Sequence, residues 1–96
     1  MTTNLSSLLD SSPDRHNRPK IAGTGITVHR VASWYKLGHS AEEITRQYPH
    51  LTLAGVYAAL AYYHANREEI DAEMMADDLE AHRLEQEYLQ KQQVFQ

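Results

Sequence analysis

Apolar residues along this chain fall into successive runs of different period, and each period predicts an element. Ile21, Ile26 and Val28 are β-branched and flank Gly23-Thr24-Gly25, whose glycines tolerate positive φ, so Arg18 to His29 predicts a small hairpin or two short extended strands. Val31, Trp34, Tyr35 and Leu37 follow as a short helix closed by Gly38, with Trp34 as the expected centre of the core. Ser40 precedes Glu43 by three residues, the spacing of a reciprocal cap, and Ile44 and Tyr48 then share one face until Pro49 stops the helix. Thr52 offers the next cap, and Leu53, Val56, Leu60 and Tyr63 recur at helical spacing with Ala58, Ala59 and Ala61 between them. A short helix, a tight turn at Tyr48-Pro49-His50-Leu51 and a longer helix match the helix-turn-helix plan.

The two ends of the chain read differently. Residues 1–17 are rich in Ser, Asn, Asp and Thr, with one apolar pair at Leu8-Leu9, and are expected to be mostly disordered. Residues 67–96 contain neither Gly nor Pro and are rich in Glu, Gln, Ala, Leu and Met, so helix propensity is high. A stripe at three- and four-residue spacing continues from Val56 through Leu60, Tyr63, Ile70, Met74, Ala81, Leu84 and Tyr88. It is broken at Arg67, Asp77 and Lys91, while Met75 and Leu79 fall outside it. A single helix from Thr52 to Gln92 would run for about 60 Å, too long for so small a domain to bury. The segment is then a dimeric coil or an arm that orders on a partner, and Met74-Met75 suits an adaptable contact. The expected architecture is mainly α. A homeodomain-like, three-helix helix-turn-helix domain (18–66) carries a short N-terminal β-hairpin, preceded by the disordered segment (1–17) and followed by an acidic helical arm (67–96).

Size and charge sharpen this picture. A folded portion of fifty-odd residues is marginal alone, which makes association the default. The net charge of -4 is unevenly spread: residues 1–39 sum to +3, residues 40–66 to -1 and residues 67–96 to -6. A mildly basic body suits phosphates and an acidic tail suits a basic partner, although an acidic helix also serves solubility alone. The chain has no Cys, hence no disulfide or thiolate metal site. Its apolar runs fall short of the roughly 20 residues of a membrane span. The polar start, MTTNLSSLLDSSPD, lacks a secretory pattern, and the expected location is cytoplasmic.

Chemistry is sparse. His16, His29, His39, His50, His64 and His82 include no pair three or four apart, as a helical zinc motif requires. Gly23-Thr24-Gly25 lacks the Lys-Ser/Thr that follows a phosphate loop, and the carboxylates of the tail read as a solvated face. Spacing yields no nucleophile, base and orienting group. Neither catalysis, a metal nor a cofactor is expected. Arg18, Lys20, Arg30 and Lys36 could hold DNA phosphates, and Thr52 and Tyr57 are the hydrogen-bonding side chains near the start of the second helix of the pair. Its outward face offers Tyr57, Ala58, Ala61 and Tyr62, suited to a protein or homodimer contact or to completing a monomer core. Ile70, Met74, Met75, Leu79, Leu84 and Tyr88 are the partner-facing candidates of the arm.

Taken in order, Arg18-Pro-Lys-Ile-Ala-Gly-Thr-Gly-Ile-Thr-Val28, Trp34, Leu37-Gly-His-Ser-Ala-Glu-Glu-Ile44, Tyr48-Pro-His-Leu-Thr-Leu53 and Val56-Tyr-Ala-Ala-Leu-Ala-Tyr62 resemble domain-of-unknown-function family 433. This bacterial and archaeal family of small helix-turn-helix proteins is similar to VapB-type antitoxins and is often encoded beside a PIN-like ribonuclease toxin. The resemblance implies an antitoxin that silences the nuclease and binds its own operator as a dimer. By analogy Glu68, Glu69, Asp71, Glu73, Asp77, Asp78 and Glu80 would enter the basic cleft of the nuclease. The chain departs from the family where base reading is expected: Gly25 replaces a common Arg, and Ala54, Gly55 and Tyr57 stand where members carry charged residues. A DNA-binding regulator without a toxin, and a homodimeric interaction module that binds no DNA, are the other readings.

Overall fold

The structure, a computed structural model, describes residues 4–10 and 18–94. The chain divides after Asn66 into two compact units, a head and an arm. The head is mainly α. A 3-10 turn, Leu5–Leu8, leads into strand β1 (Leu9–Asp10), which pairs antiparallel with β2 (Lys20–Ile21) in the register Leu9↔Ile21 and Asp10↔Lys20. Helices α1 (Val28–Lys36), α2 (Ala41–Arg46) and α3 (Leu53–Ala65) complete it.

Beyond β2 the chain reverses as the glycine pattern predicts. Ile21 N–H donates to the Ile26 carbonyl at 2.8 Å, Lys20 bridges Thr27, and Gly23 takes φ +78°. The Thr24 hydroxyl ties the turn by donating to the Ile21 carbonyl (2.8 Å) and accepting from Ile26 N–H (3.1 Å). The unexpected partner is β1. Residues 5–10 are ordered against the head rather than disordered as composition suggests: Ala22 N–H donates to the Leu8 carbonyl at 2.9 Å, and Leu8 and Leu9 are half-buried. The remainder of the segment expected to be disordered, residues 1–3 and 11–17, lies outside the described residues.

Each head helix is started by a hydroxyl. Thr27 accepts from Arg30 N–H for α1 (3.0 Å), and Thr52 accepts from Gly55 N–H for α3 (3.0 Å). At α2 the Ser40 hydroxyl accepts from Glu43 N–H (3.1 Å) while the Glu43 carboxylate accepts from Ser40 N–H (2.9 Å), completing the capping box. Gly38, at φ +100°, turns the chain out of α1.

The core joins Val28, Val31 and Ala32 of α1, Ala41 and Ile44 of α2, and Val56, Ala59, Leu60 and Tyr63 of α3, with Ile21 and Leu51 at its margins. Trp34 is not its centre. Helix α1 begins at Val28, three residues earlier than expected, so Val28, Val31 and Ala32 form the buried i, i+3, i+4 face and Trp34 is carried to its flank. There the indole is half-buried, sits edge-on to His39 with centroids 5.0 Å apart, and donates its N–H to the Tyr48 hydroxyl at 3.1 Å.

The arm is one helix, α4 (Arg67–Val94), about 42 Å long at 1.5 Å per residue. It does not continue α3. Asn66 leaves helical geometry (φ -128°, ψ 34°), and both its backbone N–H and its side-chain amide turn back to the Tyr62 carbonyl. Among the described residues no helix is long and apolar enough to cross a membrane.

Candidate functional site

Helix α3 has almost no polar side. Between the cap Thr52 and His64 its only side chains with a hydrogen-bonding group are Tyr57, Tyr62 and Tyr63. One face, with Gly55, Val56, Ala59, Leu60 and Tyr63, is buried in the core. Gly55 allows β2 to come close, since a Cβ there would lie 2.8 Å from Ile21 Cγ2. The other face floors an open groove of about 600 Å³ with Ala54, Ala58 and Ala61, and Tyr57 and Tyr62 line it as well. Leu5 and Leu9 of the N-terminal segment form its remaining wall.

Among the described residues, none that lines the groove is charged. Beside it, the Tyr57 hydroxyl donates to Glu42 Oε1 of α2 at 3.2 Å. The negative charge of Glu42, and then this hydrogen bond, raise the Tyr57 phenol above its ordinary pKa. Thus Tyr57, Ala58, Ala61 and Tyr62, expected as a contact surface, are brought together in one groove. Leu5, Leu9 and Ala54 join them unforeseen; the only sequence signal for the first two was an apolar pair at Leu8-Leu9 inside a polar stretch.

The residues considered for DNA are placed less coherently. The Thr52 hydroxyl is spent on the α3 cap, and that of Tyr57 is turned to Glu42. Arg30 lies in the first turn of α1 and Lys36 in its last, both exposed, while Arg18 and Lys20 are half-buried before and within β2. Direct base readout needs donors and acceptors aimed outward from the reading helix, and α3 aims methyl groups and aromatic rings.

In the arm, Ile70 is buried and Met74 half-buried. Met75, Leu79, Leu84, Tyr88 and also Leu89 are exposed, by 44% to 67%. Arg83 is held by Glu80 at 2.6 Å and by Glu87, and Arg67 pairs with Asp71 at 3.7 Å. The Arg83 hydrogen bond draws the Glu80 carboxyl below its ordinary pKa. With three cations against nine carboxylates, the arm keeps a strong negative field after these pairs are made. Among the described residues no three His, Asp or Glu are gathered as a metal site would need.

A smaller cleft of about 300 Å³ lies between the two turns: Gly23 to Ile26 form one side and Tyr48 to Leu51 the other. The glycine turn and the Tyr-Pro-His-Leu turn, distant in sequence, are therefore neighbours in the head.

No curated protein and no solved structure matches the chain. One family model, described as a protein of unknown function (DUF433), matches residues 12–63, which is more than half of the chain and takes in both turns, α1, α2 and α3 as far as Tyr63. The chain belongs to the DUF433 family.

Proposed function

We propose that this protein is a non-catalytic, antitoxin-like binding protein whose arm engages a basic protein partner, which the family resemblance suggests is a PIN-like ribonuclease. The observation that carries this reading is α4 itself, a 28-residue helix with net charge -6 and five large apolar side chains in water. Such a helix gains by covering its Met, Leu and Tyr side chains, and its charge selects a positively charged cover. A second arm is a poor cover, because six excess negative charges would face six more.

The head supports the same class of function. Its longest helix presents Ala and Tyr where a DNA reader presents Arg, Lys, Asn or Gln. Small side chains flanked by aromatic rings are suited to a protein contact.

The test is co-expression of the full chain with the product of the adjoining reading frame, followed by pull-down and a ribonuclease assay. Capture and inhibition are expected, with affinity falling as salt rises. Substituting Asp78→Lys and Glu85→Lys together should weaken inhibition at least about tenfold, through loss of long-range attraction. Undiminished inhibition by the double variant would remove the arm's charge from the mechanism. The competing reading, a DNA-binding regulator, draws on the excess of Lys and Arg over Asp and Glu in residues 1–66. A shift of the protein's own promoter DNA that persists at physiological salt would favour it.

A further inference from the structure

Six side chains on the open face of α3, from Ala54 to Ala65 with the exposed Leu53 and His64 set aside, read the same in both directions. From the N-terminal end they are Ala54, Tyr57, Ala58, Ala61, Tyr62 and Ala65, so that Ala-x-x-Tyr-Ala-x-x-Ala-Tyr-x-x-Ala is a palindrome centred between Ala59 and Leu60. Of the intervening positions, 55, 56, 59, 60 and 63 are buried, and His64 is exposed with its ring edge-on to Tyr35 of α1, centroids 5.2 Å apart. Five of the palindrome's six residues are exposed and Ala58 is half-buried.

A two-fold axis pairs each surface with itself, and residue i of one copy then meets residue j of the other while j meets i. Two antiparallel helices of any sequence meet this condition, and on a palindromic face it further brings Ala to Ala and Tyr to Tyr. We infer that the partner seated on the α3 groove is a second copy of this chain, with the two α3 helices antiparallel about an axis at Ala59-Leu60. Tyr57 then lies against Tyr62 of the second copy, Ala58 against its Ala61, and Ala54 against its Ala65. The inference rests on the protein-contact reading of the groove and is independent of the reading of the arm.

Three physical features select this occupant. The alanines at the centre let two helix axes approach to the near end of the usual 8–10 Å range, and each tyrosine finds an aromatic neighbour. No Lys, Arg, Asp or Glu lies between Thr52 and His64, so two copies of the face meet without like-charge repulsion. The antiparallel arrangement also sets the positive amide end of each α3 beside the negative carbonyl end of the other. An acidic arm in the same groove would bring its carboxylates toward Glu42, which is already bonded to Tyr57 at the rim.

The chain has no cysteine, so introduced thiols are the only ones present. Full-length Ala54→Cys and Ala65→Cys, made with tags of different mass, are treated with a short thiol crosslinker separately and as a mixture. In the antiparallel pair, residue 54 is close to residue 65 of the second copy, whereas the two copies of residue 54 are about 16 Å apart along the helix. A crosslinked heterodimer in the mixture, with neither variant linking to itself, is the expected result. Self-linking of Ala54→Cys would show a parallel pair and overturn the inference, and so would a monomer by light scattering at tens of micromolar.

A second measurement uses charge. Ala58→Glu should raise the dimer dissociation constant about a hundredfold or more by placing two carboxylates in an apolar seam, as Ala61→Lys does with two amines. Mixing the two variants should restore the dimer, since the carboxylate introduced at position 58 of one copy meets the amine introduced at position 61 of the other. Failure of the mixture to re-associate refutes the register. A chain found monomeric that still inhibits its basic partner would discard this inference and leave the arm's role standing.

Discussion

Gly55→Ala tests whether the head is assembled around close contact between β2 and α3. In an ordinary helix interior the added methyl group would help, because Gly is about 1 kcal/mol less favourable than Ala there. Here the new Cβ would lie 2.8 Å from Ile21 Cγ2 and 3.1 Å from the Thr52 hydroxyl oxygen. Ile21 is 3% exposed, and the offending atom is a branch methyl fixed at its Cβ, so it cannot swing aside as the end of a long side chain would. Moving it displaces β2 or tilts α3, an overpacking cost of about 1–3 kcal/mol. The cap oxygen must also give by a few tenths of an ångström. Set against the helix gain of about 1 kcal/mol, the net loss is up to about 2 kcal/mol, or up to roughly 8–16 °C in the melting midpoint of a domain this small. Urea unfolding followed by near-ultraviolet circular dichroism reads the head, since most of the aromatic residues lie there. Ile21→Leu removes the branch methyl while keeping the volume. In that background Gly55→Ala should cost at least about 1 kcal/mol less, as coupling between touching residues requires. A Gly55→Ala protein more stable than the parent, or an equal cost in both backgrounds, would refute the argument.

Three further outcomes follow from local geometry. Thr52→Ala leaves Gly55 N–H without its cap and should cost about 1 kcal/mol in urea unfolding, with Thr52→Ser restoring most of it. The Glu43 carboxyl is held below its ordinary pKa, first by the Ser40 backbone N–H and then by the Ser40 hydroxyl. A depressed folded-state pKa gives stability that is present above the unfolded value and lost as pH falls through the folded one, so the parent should lose stability across the acid carboxylate range and Glu43→Gln should lose less, as read by urea midpoints against pH. The Tyr57 phenol is raised mainly by the charge of Glu42, so Glu42→Gln should bring its titration back down toward the ordinary tyrosine value in an NMR pH series. An unchanged Tyr57 titration would show that Glu42 does not govern it.

Elements whose cause is local were legible in the sequence. Ser40 with Glu43, Thr52 before an apolar run and Gly38 after Lys36 each satisfy helix-end groups within a few residues, and all three act as expected. The phase of α1 was missed because Thr27, not a later residue, caps it. Starting the helix at Val28 rotates Trp34 from the core to the flank. The order of residues 5–10 was hidden because it comes from pairing with β2, ten or more residues away, which composition does not register. The break at Asn66 interrupts a run of strong helix formers without Gly or Pro, and its cause is a side-chain amide bonding the carbonyl four residues earlier. In the candidate site, the tyrosines and alanines of α3 were visible as an outward face. The wall supplied by Leu5 and Leu9 depended on that same long-range pairing.

Trp34 turns out to be a built-in optical gauge. Its indole N–H is tied to the hydroxyl of Tyr48, a residue of the bend between α2 and α3, and its ring abuts His39. Because the chain has one tryptophan, its emission comes from this spot alone, without labelling. Whatever shifts that bend would stretch the tether and rehydrate the indole, so a redshift or change in brightness on mixing would betray rearrangement there, while steady emission would mean the newcomer has left it undisturbed.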